Sequence, residues 1–317
     1  MLSKETLTSR KHNMFNGVDI SIDRFVELKD KFGNKLLFLN AGDVWLGPTP
    51  VIEDGRERLE QIKEMDLRED DIIIAGFPKS GNHWMQQIGR MLVQNSTEYK
   101  PNSLNFETLE YIPAHLITPP DKPRVFFTHL RFHHLPRQVL EKSVKIIHLI
   151  RNPKDTFASL YTFLGQHKEP MKYEGSWDQF FSVMLDMGFW HGDFFDHLLD
   201  WEREIAAHPE LPIFVLAYED LKQNTLGCVE KLNEFLELKR SPELCRDICE
   251  VCTLTTMKEK EEKLLRQLNI TDNGFTYVYR KGEIGDWKNW FTEAQNEQFD
   301  KVYKKRMAKS ERKFIFE

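Results

Sequence analysis

The chain has 317 residues, of which 40% are hydrophobic, 12% aromatic and 30% charged. That is enough apolar material for one large α/β domain and too much for a disordered chain. A formal net charge of −6 argues against broad nucleic-acid binding, while local basic clusters can still grip a small phosphorylated molecule.

The opening residues, MLSKETLTSRKHNMFNG, hold no apolar run able to serve as a signal-peptide core, and no later stretch approaches a membrane span. The expectation is therefore a cytoplasmic protein without a membrane partner. No repeat, low-complexity tract or Pro/Gly-rich linker divides the chain.

Apolar, β-branched runs follow at DIIIAGF (71–77), RVFFTHL (124–130), VKIIHLI (144–150) and PIFVLAY (212–218), with helical patterns between several of them. Their apolarity is continuous, not alternating, which predicts strands buried on both faces. The fold class is α/β, a single domain with a mostly parallel central sheet flanked by helices. Each run ends in polar residues: Lys79 and Ser80, Thr128 and His129, Arg151 and Asn152, then Tyr218, Glu219 and Asp220. Ligands of open α/β sheets collect at the carboxyl ends of the strands, so this convergence predicts one site. Asp155 or Glu219, taken singly, could equally cap a helix.

After the first run comes FPKSGNHW (77–84), a turn leading into a helical pattern. Gly81 lets successive N–H groups point inward, the following helix offers its positive end, and Lys79 adds a full charge, so the loop is a P-loop-like seat for phosphate or sulfate. It is not the nucleotide-hydrolase loop G-x-x-x-x-G-K-[ST], because Lys79 precedes Gly81. The magnesium-holding hydroxyl and acidic metal ligand that accompany that loop are also not evident.

Near the C-terminal third, SPELCRDICEVC carries Cys245, Cys249 and Cys252 in the C-x3-C-x2-C spacing of radical iron–sulfur enzymes. Ser241 and Pro242 read as N-cap and first helical residue. The cysteines then form one packed helical stripe, and no metal is expected.

FPKSGNHW (77–84), THLRFHHLP (128–136), RNPKDTFASLYTF (151–163), YEDL (218–221) and RKGEIGDWKNWFT (280–292) together resemble the ordered signature set of the cytosolic sulfotransferases. The resemblance covers residues 40–317. It divides the chain into an N-terminal extension, 1–40, that begins the acceptor-pocket region, and a sulfotransferase domain, 41–317. It implies a co-substrate, 3′-phosphoadenosine 5′-phosphosulfate (PAPS), and transfer of its sulfuryl group to a hydroxyl or amine of a small molecule. By resemblance, Lys79, Ser80, Gly81, Asn82, His83 and Trp84 hold the 5′-phosphosulfate. Arg151, Ser159, Arg280, Lys281 and Gly282 hold the 3′-phosphate, and two arginine forks suit that dianion. Trp84 and Tyr218 meet the adenine. Cys252 and Leu254 occupy adenine-side positions usually held by a hydroxyl residue and phenylalanine.

The resemblance makes His129 the general base and Lys79 the cation facing the bridging oxygen, with no metal required. His133 and His134 lie in the same motif, and its register selects His129. Asn82 and His83 stand where threonines are common, and Phe127 where a second active-site lysine often sits. A nucleotide-dependent small-molecule kinase and an inactive PAPS-binding protein are the alternative classes.

Phe106, Tyr111, Phe163 and Trp190 point to an apolar or aromatic acceptor, although each could be core packing. Residues 255–280 are expected to form a mobile lid. In KNWFTEAQNE, Lys288 to Glu297, Glu293 replaces the apolar centre of a family dimer patch, so the expectation is a monomer or weak homodimer.

Overall fold

The structure, a computed structural model, describes residues 25–47, 52–100, 108–112, 123–166, 172–186, 188, 190–267 and 279–317, without the side chains of 264 and 265. For 3–5, 12–15 and 18–21 it describes backbone alone.

The amino-terminal strands are β1 (Ser3–Glu5), β2 (His12–Phe15), β3 (Val18–Ser21), β4 (Val26–Lys29), β5 (Lys35–Asn40) and β6 (Trp45–Leu46). They pair antiparallel, in the order β1-β4-β5-β6 and as a β2-β3 hairpin. Leu28, Leu36 and Phe38 pack with Phe77, Phe157 and Phe180, and Leu39 and Leu46 pack with Ile73 and Phe126. The pieces from residue 25 onward thus share the apolar interior of the central sheet.

That sheet holds β7 (Ile72–Gly76), β8 (Val125–Thr128), β9 (Lys145–Ile150) and β10 (Ile213–Ala217), all parallel, in the order β10-β9-β7-β8. Every residue of β7 and β8 is buried, as their unbroken apolarity requires. At one edge, β10 is only half-buried, so its Ile-Phe-Val-Leu run overstates its burial. On the β8 edge, the Leu109 amide donates to the Phe127 carbonyl at 2.8 Å and leaves less of that edge open.

Around the sheet run α1 (Gly55–Lys63), α2 (Asn82–Gln94), α3 (Gln138–Glu141), α4 (Pro153–Gln166), α5 (Trp177–Asp186), α6 (Phe194–Ala207), α7 (Tyr218–Gln223), α8 (Thr225–Phe235), α9 (Pro242–Val251), α10 (Leu254–Gln267) and α11 (Glu293–Arg306). The caps explain several starts. Asp54 accepts the N–H groups of Arg56 and Glu57, Ser241 that of Leu244 with Pro242 following, and Thr292 forms a capping box with Gln295. On α9, Cys245 and Ile248 are buried and Cys249 half-buried, with Cys252 buried just beyond, and all four cysteines are free thiols. Burial raises their pKa values, Cys249 to about 11 and Cys252 to about 12, which is the state of packed thiols.

The charged run 257–267 of the expected lid is the body of α10, with Met257 in the core and Glu261 buried beside Tyr99. Residues 268–278 of the expected lid lie outside the described residues. Among the described residues, no helix is long and apolar enough to cross a membrane.

The strand order fixes where a ligand sits. From β7 the chain runs through α2 to β8 on one side, and from β9 through α4 and onward to β10 on the other. The crevice between β7 and β9 is therefore a topological switch point, opening between residues 77–81 and 151–152.

Candidate active site

The 77–81 loop is shaped by two left-handed residues. Gly81 has φ +97°, and a Cβ there would lie 2.8 Å from Tyr218 Cδ2, so both conformation and space require glycine. Lys79 holds φ +71°, a conformation that side-chain-bearing residues adopt rarely and mainly where surroundings enforce it. Part of that enforcement is Arg151, whose Nη1 donates to the Lys79 carbonyl at 2.9 Å and thereby bridges the switch point. Gly81 precedes α2 without any side-chain cap, so the helix begins with free N–H groups facing the loop.

A cavity of about 230 Å³ opens above this crevice. Its walls include Lys79, Gly81, Asn82, His83, Trp84, His129, Arg151, Ser159, Phe163, Trp190, Tyr218, Cys252, Leu254, Arg280, Lys281 and Gly282. Thirteen of these positions come from five separate sequence motifs, Trp190, Cys252 and Leu254 lie between them, and all converge on one space. Ser80 is fully buried beneath the loop and does not line it. Among the described residues, Tyr111 stands behind the wall: its hydroxyl accepts from Trp190 Nε1 at 2.9 Å and contacts His191 Nε2 at 3.1 Å. Phe106 lies outside the described residues.

One end of the cavity is cationic and aromatic. The Arg151 guanidinium lies 4.2 Å over the Tyr218 ring, and Trp84 meets Tyr218 edge-on at 5.8 Å. Arg280 and Lys281 are held by Asp286, which also accepts from Asn289 Nδ2 at 2.9 Å. Burial alone would raise the Asp286 pKa, but Lys281, Arg280 and Asn289 hold it well below the carboxylate range. The loop bearing these cations is anchored by Asp155, which accepts the N–H groups of Gly285 and Trp287, each at 2.8 Å.

At the other end sit Lys79 and His129. Lys79 Nζ lies 4.1 Å over the Phe163 ring, which stacks on Trp190 at 5.7 Å and 2°. Burial, then Arg151 and Arg280, bring the Lys79 pKa down to about 7. His129 Nδ1 is 2.7 Å from the Gly76 carbonyl, which can only accept, so Nδ1 carries the proton and Nε2 the lone pair. The His129 N–H donates to Glu110 Oε1 at 2.6 Å and His197 Nε2 to the His129 carbonyl at 3.1 Å, fixing the segment from both sides. Burial lowers the His129 pKa to about 3, with His83, His197 and Lys79 contributing, while the bond to Gly76 opposes the shift.

Asn82 and His83 differ from a hydroxyl pair in a specific way. The Asn82 amide donates to the Phe77 carbonyl at 3.0 Å, so its N–H group is engaged by the loop itself. His83, with its pKa lowered to about 3 by burial, then Lys79 and Arg90, is neutral.

Sequence reasoning did not single out Pro78, Lys222, Thr225, Cys249, Thr253 and Glu283 as lining residues, and it reached Met257 and Tyr279 only as part of the expected 255–280 lid. Lys222 and Thr225 follow YEDL closely and could have been found by extending that motif. Met257 and Tyr279 carry no signal of their own and reach the wall only through tertiary packing.

The Ser80 Oγ, His83 Nδ1, Trp84 Nε1 and Arg151 Nε atoms are buried without a hydrogen-bond partner among the described residues. Among these, the Trp84 and Arg151 donors line the cavity and, together with Lys79, Arg280 and Lys281, fit a polyanionic ligand with an aromatic end.

The comparisons with known proteins agree with this architecture. Residues 69–311 match the family model described as the sulfotransferase domain. Sulfotransferase 6B1 of Danio rerio is 35% identical over 257 residues, 80% of this chain and 83% of that protein. Sulfotransferase 1B1 of Canis lupus familiaris is 33% identical over 274 residues, 82% of this chain and 90% of that protein. Among solved structures, mouse sulfotransferase SULT7A1 complexed with PAP, the desulfated nucleotide, aligns with a TM-score of 0.65 at 28% identity, covering 80% of this chain and 91% of that one. Retinol dehydratase in complex with retinol and PAP, at 19% identity, a TM-score of 0.67 and 92% coverage of both chains, shares the fold. The chain belongs to the sulfotransferase family and is a PAPS-dependent sulfotransferase.

Proposed function

We propose that this protein moves the sulfuryl group of PAPS to the hydroxyl, or amine, of a small apolar or aromatic acceptor, with His129 as general base. The observation that carries this reading is the His129 tautomer: Nδ1 is committed to the Gly76 carbonyl, and Nε2 is left able to take a proton in a cavity shared with Lys79. PAPS supplies the sulfuryl group when bound. His129 Nε2 takes the acceptor proton as the acceptor oxygen bonds to sulfur and the bond from sulfur to the bridging phosphate oxygen breaks. Lys79 stabilises the charge gathering on that departing oxygen. The loop amides at the start of α2 and the His83 side chain receive the 5′ end. Arg151, Ser159, Arg280, Lys281 and Gly282 receive the 3′-phosphate, and Trp84, Tyr218, Cys252 and Leu254 border the base.

Phe163 and Trp190 form a flat apolar wall beside Lys79 and His129, which supports an apolar or aromatic acceptor. His129→Ala, assayed with labelled PAPS against a panel of phenols, sterols and aliphatic alcohols, is expected to lose about 100- to 10,000-fold in turnover. Its PAP affinity should stay within a few-fold of wild type. Turnover within threefold of wild type would refute the base assignment.

The reading includes a cytoplasmic location and weak self-association. Glu293 is exposed in the first turn of α11, where its charge favours the helix N-terminus but would face its own copy across a two-fold patch. Sedimentation at micromolar concentration should give monomer or weak dimer, tightened by Glu293→Val. A tight wild-type dimer that the substitution leaves unchanged would count against it.

A further inference from the structure

A second cluster of chemistry-bearing side chains lies outside the cavity walls, where the β5–β6 loop meets the short 3₁₀ turn Phe132–His134. Asp43 of the loop faces two consecutive histidines. Its Oδ2 is 3.1 Å from His133 Nε2, and its Oδ1 is 3.0 Å from His134 Nε2. One ligand-capable atom from each residue lies within 4.8 Å of the other two. Successive side chains on a 3₁₀ turn diverge by about 120°, yet these two rings approach to 4.0 Å between centroids. One imidazole would satisfy one carboxylate, so the second ring calls for another explanation.

Two further observations point to a ligand. His134 is buried, with 5% of its surface exposed, and neither ring nitrogen makes a hydrogen bond among the described residues; the contact to Asp43 is close without hydrogen-bond geometry. Behind His133 stands Asp200, also buried. Its Oδ1 takes Arg203, while Oδ2 has no hydrogen bond among the described residues and lies 3.8 Å from His133 Nδ1. A carboxylate behind a ligating imidazole is the usual outer support of a metal-bound histidine.

We propose that Asp43, His133 and His134 form a site for a divalent transition metal of the zinc class, the histidines binding through Nε2 and Asp200 orienting His133. Two imidazoles and one carboxylate suit Zn²⁺, and they are a poor set for Mg²⁺ or Ca²⁺, which prefer oxygen alone. Asp43 and His133 are exposed, which gives the ion a path and leaves a position for water. The ion ties the loop at 41–44 to the segment that directly follows His129, and it takes no part in sulfuryl transfer. This departs from the expectation of a chain without a metal cluster, because Asp43 stands 90 residues before His133 and no spacing rule connects them.

Calorimetric titration of the chelator-treated, dialysed full-length protein with Zn²⁺ tests the site. Wild type is expected to bind one ion per chain. His133→Ala and Asp43→Asn should each weaken that binding at least tenfold, and Asp200→Asn roughly 10- to 100-fold. His208→Ala, which alters another surface histidine near a carboxylate, should leave it unchanged. Because residues 43 and 133 are exposed, both variants are expected to keep the wild-type circular dichroism, which is recorded alongside. No binding by wild type, or wild-type affinity in either folded variant at residues 43 and 133, overturns the site.

Discussion

Lys79 is the residue on which the most influences meet. Its left-handed backbone turns the loop, its carbonyl takes Arg151, and its ammonium rests on Phe163 beside two other cations. A lowered pKa near 7 means that the free protein loses this charge as pH rises through about 7. An anion in the cavity favours the charged form and raises the pKa again. At pH 8 the nucleotide phosphates are already ionised, since their second pKa is about 6. Binding of PAP at pH 8 should therefore take up close to one proton, and at pH 6 the Lys79 contribution should vanish. Calorimetry in buffers of different ionisation enthalpy measures this, and Lys79→Met should abolish the uptake at pH 8. Equal uptake in wild type and Lys79→Met would show that another group titrates.

At the scale of elements, much was legible before any coordinates. The four apolar runs correspond to β7, β8, β9 and β10 within two residues at every end, because unbroken β-branched apolar runs bounded by polar residues leave no alternation to misread, although β10 is only half-buried. The N-terminus of α9 followed from Ser241 and Pro242. The meaning of α10 was hidden, since Lys, Glu and Arg dominate it. What fixes it is Met257 in the core and the contact of Glu261 with Tyr99, which is 162 residues distant in the chain. The same limit applies to the cation loop. Arg280 and Lys281 were visible as a motif, but their brace, Asp286, and its anchor on Asp155 are products of folding. A carboxylate between two cations diminishes their attraction for a phosphate and fixes where they point. Preorganisation of this kind lowers the ordering cost of binding.

For the whole molecule, burial of histidine sets the response to acid. His129, His134, His148, His191 and His197 are all buried, and desolvation lowers each pKa, to about 3 or 4 where a value is defined. In the unfolded chain these rings return to about 6.5. Their contribution to stability is therefore complete above about pH 6.5 and declines as pH falls toward the folded values, because the unfolded state binds protons that the folded state refuses. Three groups oppose this. Burial raises Glu110 to about 7 and also raises Glu219, and contact with Asp200 raises His133, so the folded state gains protons at these sites. His83, also lowered to about 3 by burial, adds to the rings, and His133 opposes little near pH 5.5 because its unfolded form is already mostly protonated there, so unfolding takes up protons on balance and stability falls as pH falls. Urea denaturation between pH 7 and 5 should show stability falling as pH is lowered. His148→Phe, which keeps a flat ring against Trp201 at the site of the 4.3 Å stack, should make that fall shallower, because burial holds the His148 pKa well below its ordinary value. Stability that is level or rises over this interval would mean that the folded protein accommodates the charged imidazoles, and with them a protonated His129 that could not serve as the base.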